Sequence, residues 1–141
     1  MSGDGLHPTG HRASALGMAG MVTAPHAMAT QAGVDILRAG GNAADAGVAV
    51  AASLSVLYPH MTGIGGDAFF LYHDARDRTV AAYNGSGASA ALADRAFYER
   101  LGLGSIPAHG GPAALTVPGA VDAWLALHER FGRLPMPVVL A

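Results

Sequence analysis

The chain contains no cysteine and no lysine, and only 13% of its residues are charged. Without cysteine there is no disulfide, no thiolate metal site and no cysteine nucleophile, although the compartment stays open. Without lysine the basic residues are all arginine, and the net charge is −2. No nucleic-acid or acidic-membrane partner is therefore expected. Isolated soluble domains usually carry about a quarter charged residues. Either the core is generous or some apolar surface expects a partner. The longest apolar run is about 15 residues, short of the roughly 20 that cross a bilayer. The first residues, with Asp4, His7, His11 and Arg12, hold no apolar signal core, so the expected location is cytoplasmic. With 141 residues the chain can form one ordinary domain that buries roughly two thirds of its unfolded surface.

What is present is organised around residues 40–70. Gly40-Gly41-Asn42 precedes an almost wholly apolar stretch from Ala43 to Leu57, whose one strongly polar side chain is Asp45. A helix apolar all round is expected to be buried. Asn42 suits its N-cap, Asp45 suits the positive helix end at the third helical position, and Gly40 suits a positive φ after a preceding helix. The helix leads through Pro59 into Thr62-Gly63-Ile64-Gly65-Gly66-Asp67 and then Ala68-Phe69-Phe70. Gly63, Gly65 and Gly66 read as a structural loop whose glycines allow close backbone packing or unusual φ.

Around this centre, residues 1–18 read as a loose tail and 19–141 as the structured part. Ala19 to Ala24 predicts a short strand ended by Pro25, and Ala27 to Ala39 an amphipathic helix. Phe69–His73 and Thr79–Tyr83 form a hairpin with a charged turn. Neither run alternates cleanly, so both faces are expected to be covered, one by the apolar helix. Asp94–Leu101 is a short helix and Ala114–Val117 a short strand. Ala120, Trp124, Leu127 and Phe131 make the stripe of a final helix stopped by Gly132. Leu134 to Ala141 is apolar without a polar terminus, and reads as a truncation. The fold class is layered α/β.

Chemistry is sparse. Gly63-x-Gly65 hints at a dinucleotide loop, but phosphate loops run from strand to helix and here the order is reversed. Ser86 between Gly85 and Gly87 hints at a nucleophile elbow, but position 84 is Asn and a turn serine fits better. His7 and His11 are four apart, yet Pro8 and Gly10 argue against a helix that would join them on a metal. His26, His60, His73, His109 and His128 stand singly, without metal-ligand spacing. No metal and no cofactor are expected.

The order of motifs, however, resembles a known family. Gly20-Met21-Val22, Ala29 to Leu37, Gly40 to Ala46, Thr62 to Phe69 and Val117 to Val121 are similar to the N-terminal portion of γ-glutamyltransferases (glutathione hydrolases). The resemblance extends from about Gly20 to Ala141. It implies an αββα sandwich of the N-terminal-nucleophile hydrolase type, only partly contained in this chain. It implies a precursor that cuts itself, with the new N-terminal Thr of the small subunit as nucleophile and its α-amine as base. No position here matches those groups or the oxyanion donors, so no catalytic residue is assigned. The partners implied are a small-molecule amide or γ-glutamyl substrate and the missing C-terminal part.

Members specific for γ-glutamyl groups carry an Asp-Phe-Arg-Glu-like segment whose Arg holds the substrate carboxylate. The matching segment here is Tyr83-Asn84-Gly85-Ser86, with the Arg position on Gly85. The resemblance thus places substrate contacts at Asn84, Gly85 and Ser86. Asn84-Gly85-Ser86-Gly87 is similar to the branch that includes cephalosporin acylases, whose next Arg would fall on Ala88. An acylase-like amide substrate is favoured over glutathione. The competing expectation is a non-catalytic structural or binding remnant of the family.

Overall fold

A computed structural model describes residues 14–113 and 116–141. His7, His11 and most of the expected tail lie outside the described residues, as do two positions of the strand expected at 114–117.

The chain builds helices α1 (Ala27–Arg38), α2 (Ala43–Leu57), α3 (Arg95–Arg100), α4 (Ala120–Phe131) and α5 (Met136–Val139), with strands β1 (Ala68–Asp74) and β2 (Thr79–Gly85) between α2 and α3. A 3-10 turn covers Gly111–Ala113. The result is a mixed helical structure on a two-stranded antiparallel sheet.

α1 begins at His26, whose Nδ1 accepts from the Met28 N–H at 3.2 Å. It ends before Gly40, which takes the expected left-handed conformation at φ +93°. α2 starts with the expected cap: Asn42 Oδ1 accepts from the N–H of Ala44 and Asp45, and Asp45 reaches back to the Asn42 N–H. Ile36, Ala46, Val48, Ala49 and Val139 form the buried core, flanked by Leu37, Trp124, Leu127, Leu134 and Met136.

Four expectations change. No strand forms at residues 19–24; among the described residues the segment finds no strand to pair with, and Val22 instead packs beside Gly33 of α1. α2 is buried only in its first half. Ala44, Asp45, Ala46, Val48 and Ala49 are enclosed, whereas Val56 is 77% exposed. The hairpin is covered on one face only, and by α4 rather than α2. Its inner residues Phe70, Tyr72, Ala81 and Tyr83 face α4, while Phe69, Leu71 and Val80 on the outer face are 66%, 80% and 67% exposed. The expected strand around Thr116 is reduced to an isolated bridge with Ser89.

Candidate functional site

Gly85 ends β2 opposite Ala68. There the hairpin crosses the first turn of α4 so closely that no side chain fits. A Cβ on Gly85 would lie 2.7 Å from the Ala68 carbonyl oxygen, 2.8 Å from Ala123 Cβ and 2.9 Å from the Gly119 carbonyl oxygen. The contact is mutual, since a Cβ on Gly119 would lie 2.3 Å from the Gly85 carbonyl oxygen. Position 85 therefore points its side-chain direction into α4. An arginine there could not reach a substrate without parting the hairpin from the helix. The family arginine matched to Gly85 has no counterpart in this chain, and the crossing leaves no space for one.

Strand alternation turns Asn84 the other way, onto the outer face. Its Oδ1 accepts from the Ser86 N–H at 3.0 Å, which fixes the turn that follows. Ser86 is half-buried, and among the described residues its Oγ has no hydrogen-bond partner.

The glycine loop meets this crossing through α4. The Gly66 carbonyl accepts from the N–H of Gly119 at 3.1 Å and of Ala120 at 3.0 Å. A backbone carbonyl thus occupies the helix N-terminus, satisfying two of its orphan donors. The expected crowding at the loop glycines is absent: Gly63, Gly65 and Gly66 do not take positive φ. A Cβ on Gly63 or Gly65 would meet nothing within 4 Å, and one on Gly66 only the Gly63 carbonyl at 3.7 Å. Tight packing has moved from this loop to the Gly85–Gly119 crossing.

Beside the crossing, the Tyr83 hydroxyl donates to Asp122 Oδ2 at 2.5 Å, and its ring stacks on Phe70 at 5.3 Å. The hydrogen bond to Asp122, then partial desolvation, then the carboxylate's charge push the Tyr83 phenol above its usual 10.0. The partners lie 39 residues apart, and nothing in the sequence marks them as a pair.

At the other end of α4, Asp45 is fully buried. Its carboxylate accepts from the N–H of Asn42 at 2.9 Å and from the N–H of Arg133 at 3.0 and 3.1 Å. His128 Nε2 donates to the Leu134 carbonyl at 2.7 Å and stands 3.7 Å from Asp45 Oδ1. Asn42 Nδ2 donates to the Phe131 carbonyl. Reading Asp45 as a helix-start residue is right but incomplete, because it also ties α2 to the chain leaving α4. Its isolation in an apolar stretch was the available signal.

Among the described residues no group of three or more His, Asp or Glu could hold a metal ion. The arrangement offers no nucleophile–base pair. It offers a rigid corner where loop, hairpin end and helix start converge on Gly119.

Residues 29–141 match the family model described as gamma-glutamyltranspeptidase. The chain is 49% identical over 127 residues to the glutathione hydrolase-like YwrD proenzyme of Bacillus subtilis, covering 90% of this chain and 24% of that protein. It is 45% identical over 106 residues to the oxamate amidohydrolase proenzyme of Klebsiella pneumoniae, covering 75% of this chain and 20% of that one. Among solved structures it is similar to the cephalosporin acylase from Bacillus halodurans, with 40% identity and a TM-score of 0.75 over 81% of this chain and 21% of the other. The chain spans about a quarter or less of the length of these curated relatives.

Proposed function

The chain belongs to the γ-glutamyltranspeptidase family, and we propose that it forms the N-terminal part of the large subunit of an amidohydrolase or acyltransferase that prefers a small acyl amide to glutathione. The observation that carries this reading is the Gly85–Gly119 crossing. It leaves no room at position 85 for a guanidinium that would hold a γ-glutamyl carboxylate. The names of two relatives, an oxamate amidohydrolase and a cephalosporin acylase, support the same substrate class.

In this reading the corner around Gly119 is scaffold and substrate wall. The chemistry belongs to an N-terminal Thr and its own amine, which match no residue here. Acyl transfer through such a nucleophile needs the nucleophile, its base and the oxyanion donors together. The 141 residues alone are therefore expected to give no turnover. The uncovered outer face of the hairpin supports a further layer completing an αββα sandwich.

The test is to express the gene's complete product, follow its self-cleavage by mass spectrometry, and compare kcat/KM for oxamate, a cephalosporin side-chain amide and a γ-glutamyl anilide. Higher values for either of the first two are expected. A strong γ-glutamyl preference would overturn the substrate class. Neither cleavage nor turnover would leave the non-catalytic remnant as the better account.

A further inference from the structure

A concavity lies at the opposite end of the hairpin from Asn84–Ser86. Its volume is about 500 Å³, and it is lined by the hairpin turn and by the residues that leave α4, a size that suits a small molecule. Arg76, Arg130 and Arg133 all line it, together with Tyr72 and Phe131.

The sequence brings these arginines there by separate routes. Arg76 sits in the hairpin turn, where its N–H donates to Asp74 Oδ1 at 2.9 Å. Arg130 lies in the last turn of α4, with its guanidinium carbon 4.9 Å from the centre of the Phe131 ring. Arg133 follows Gly132, and its backbone is held by buried Asp45. Tyr72 and Phe131 stack on each other at 4.2 Å between turn and helix.

Elsewhere arginines find carboxylates: Arg38 pairs with Asp35 at 3.2 Å and Arg95 with Glu99 at 2.8 Å. Among the described residues, none of the three guanidiniums at the concavity has a carboxylate within ion-pair distance. Their one polar bond is a long contact of 3.5 Å from Arg133 to the Gly40 carbonyl. Asp74 is the one carboxylate in the lining, and it accepts from the Arg76 backbone. Three cationic residues lining one cavity repel each other as their guanidiniums approach, unless an anion joins them. Arginine proximity to the α4 C-terminus accounts for Arg130 and Arg133 but not for Arg76, which comes from another element.

We propose that this concavity binds a phosphate-bearing small molecule, with the three arginines on the phosphate oxygens and the stacked Tyr72–Phe131 pair beside its ring or apolar part. A phosphate offers three terminal oxygens to guanidinium forks, where a carboxylate offers two. The site is independent of the amide-hydrolysing reading and uses none of its residues.

Titration calorimetry with adenosine 5′-monophosphate, inorganic phosphate and glutarate tests it. Saturable binding of the nucleotide is expected, with competition by phosphate and affinity for glutarate at least about tenfold weaker. Arg76→Gln and Arg130→Gln, both exposed positions, should each weaken nucleotide binding about tenfold, with circular dichroism unchanged. Arg38→Gln, which removes an arginine paired elsewhere, should leave it alone. No saturable heat at millimolar nucleotide would overturn the proposal, as would equal losses in all three variants. Glutarate binding as tight as the nucleotide would overturn the phosphate assignment.

Discussion

At the scale of single residues, Asp45 and Tyr83 carry more than their neighbours. Asp45 is a buried carboxylate whose cost is offset by backbone N–H donors from its own N-cap, Asn42, and from the distant Arg133 segment. Asp45→Ala strands the Asn42 and Arg133 amides and should cost about 2–4 kcal/mol by urea denaturation. Asp45→Asn should also destabilise, because both carboxylate oxygens accept and the new NH₂ must meet a donor. Wild-type stability in both variants would show that the carboxylate does not organise this junction. Tyr83 gives a pH signature. Its phenol is raised above 10.0, so the stabilising bond to Asp122 is fully present below that value and is lost as pH rises through the higher folded value. In an alkaline absorbance titration, Tyr83→Phe should remove a late-ionising step. Loss of an early-ionising step instead would contradict the bond. Sequence made Asn42, Gly40 and the capping role of Asp45 legible because these act within a few residues. Gly85, Tyr83 and the second role of Asp45 were not legible, because their partners lie in α4 or just beyond it and periodicity carries no information on distant contacts.

At the scale of elements, α2 and the hairpin divide the same way. A run of Ala, Val and Leu announces a helix with apolar sides all round, and α2 forms over the expected residues. How deeply each turn is buried depends on what packs there. The first half holds the fully enclosed positions, while residues 51–55 and Leu57 are half-buried and Val56 is exposed. The two halves should therefore respond differently to one charge. Val48 is 1% exposed and Val56 77% exposed. Val48→Asp should cost several kcal/mol, on the order of the penalty for burying an unpaired charge. Val56→Asp in the same chain should stay within about 0.5 kcal/mol of the parent. Equal losses would mean that the end of α2 is covered too. The hairpin was legible from its two aromatic and β-branched runs around a charged turn, but its covering helix was not. A strand's composition says that a face is packed, not which helix packs it.

At the scale of the whole molecule, the low charge content and the outer face of the hairpin belong to one account. A sheet face presenting Phe69, Leu71 and Val80, each at least 66% exposed, together with unpaired strand edges, is a surface that seeks cover. The composition had offered a generous core or an unpartnered apolar surface as alternatives. The structure answers with a modest core, in which alanine is the commonest buried residue, and an open face. Hydrophobic burial scales with apolar area removed from water, so leaving this face wet forgoes stabilisation and favours self-association. The purified 141-residue chain should therefore grow in apparent size with concentration in light scattering and bind an apolar dye. Leu71→Lys with Val80→Lys should suppress both. These side chains point away from α4, so the double variant should melt within a few degrees of the parent. A chain that stays monomeric and dye-free without the substitutions would mean that the outer face is covered by residues of the same chain. A double variant that unfolds would mean that Leu71 and Val80 face a core after all, and that the hairpin is packed on both sides as its sequence alone suggests.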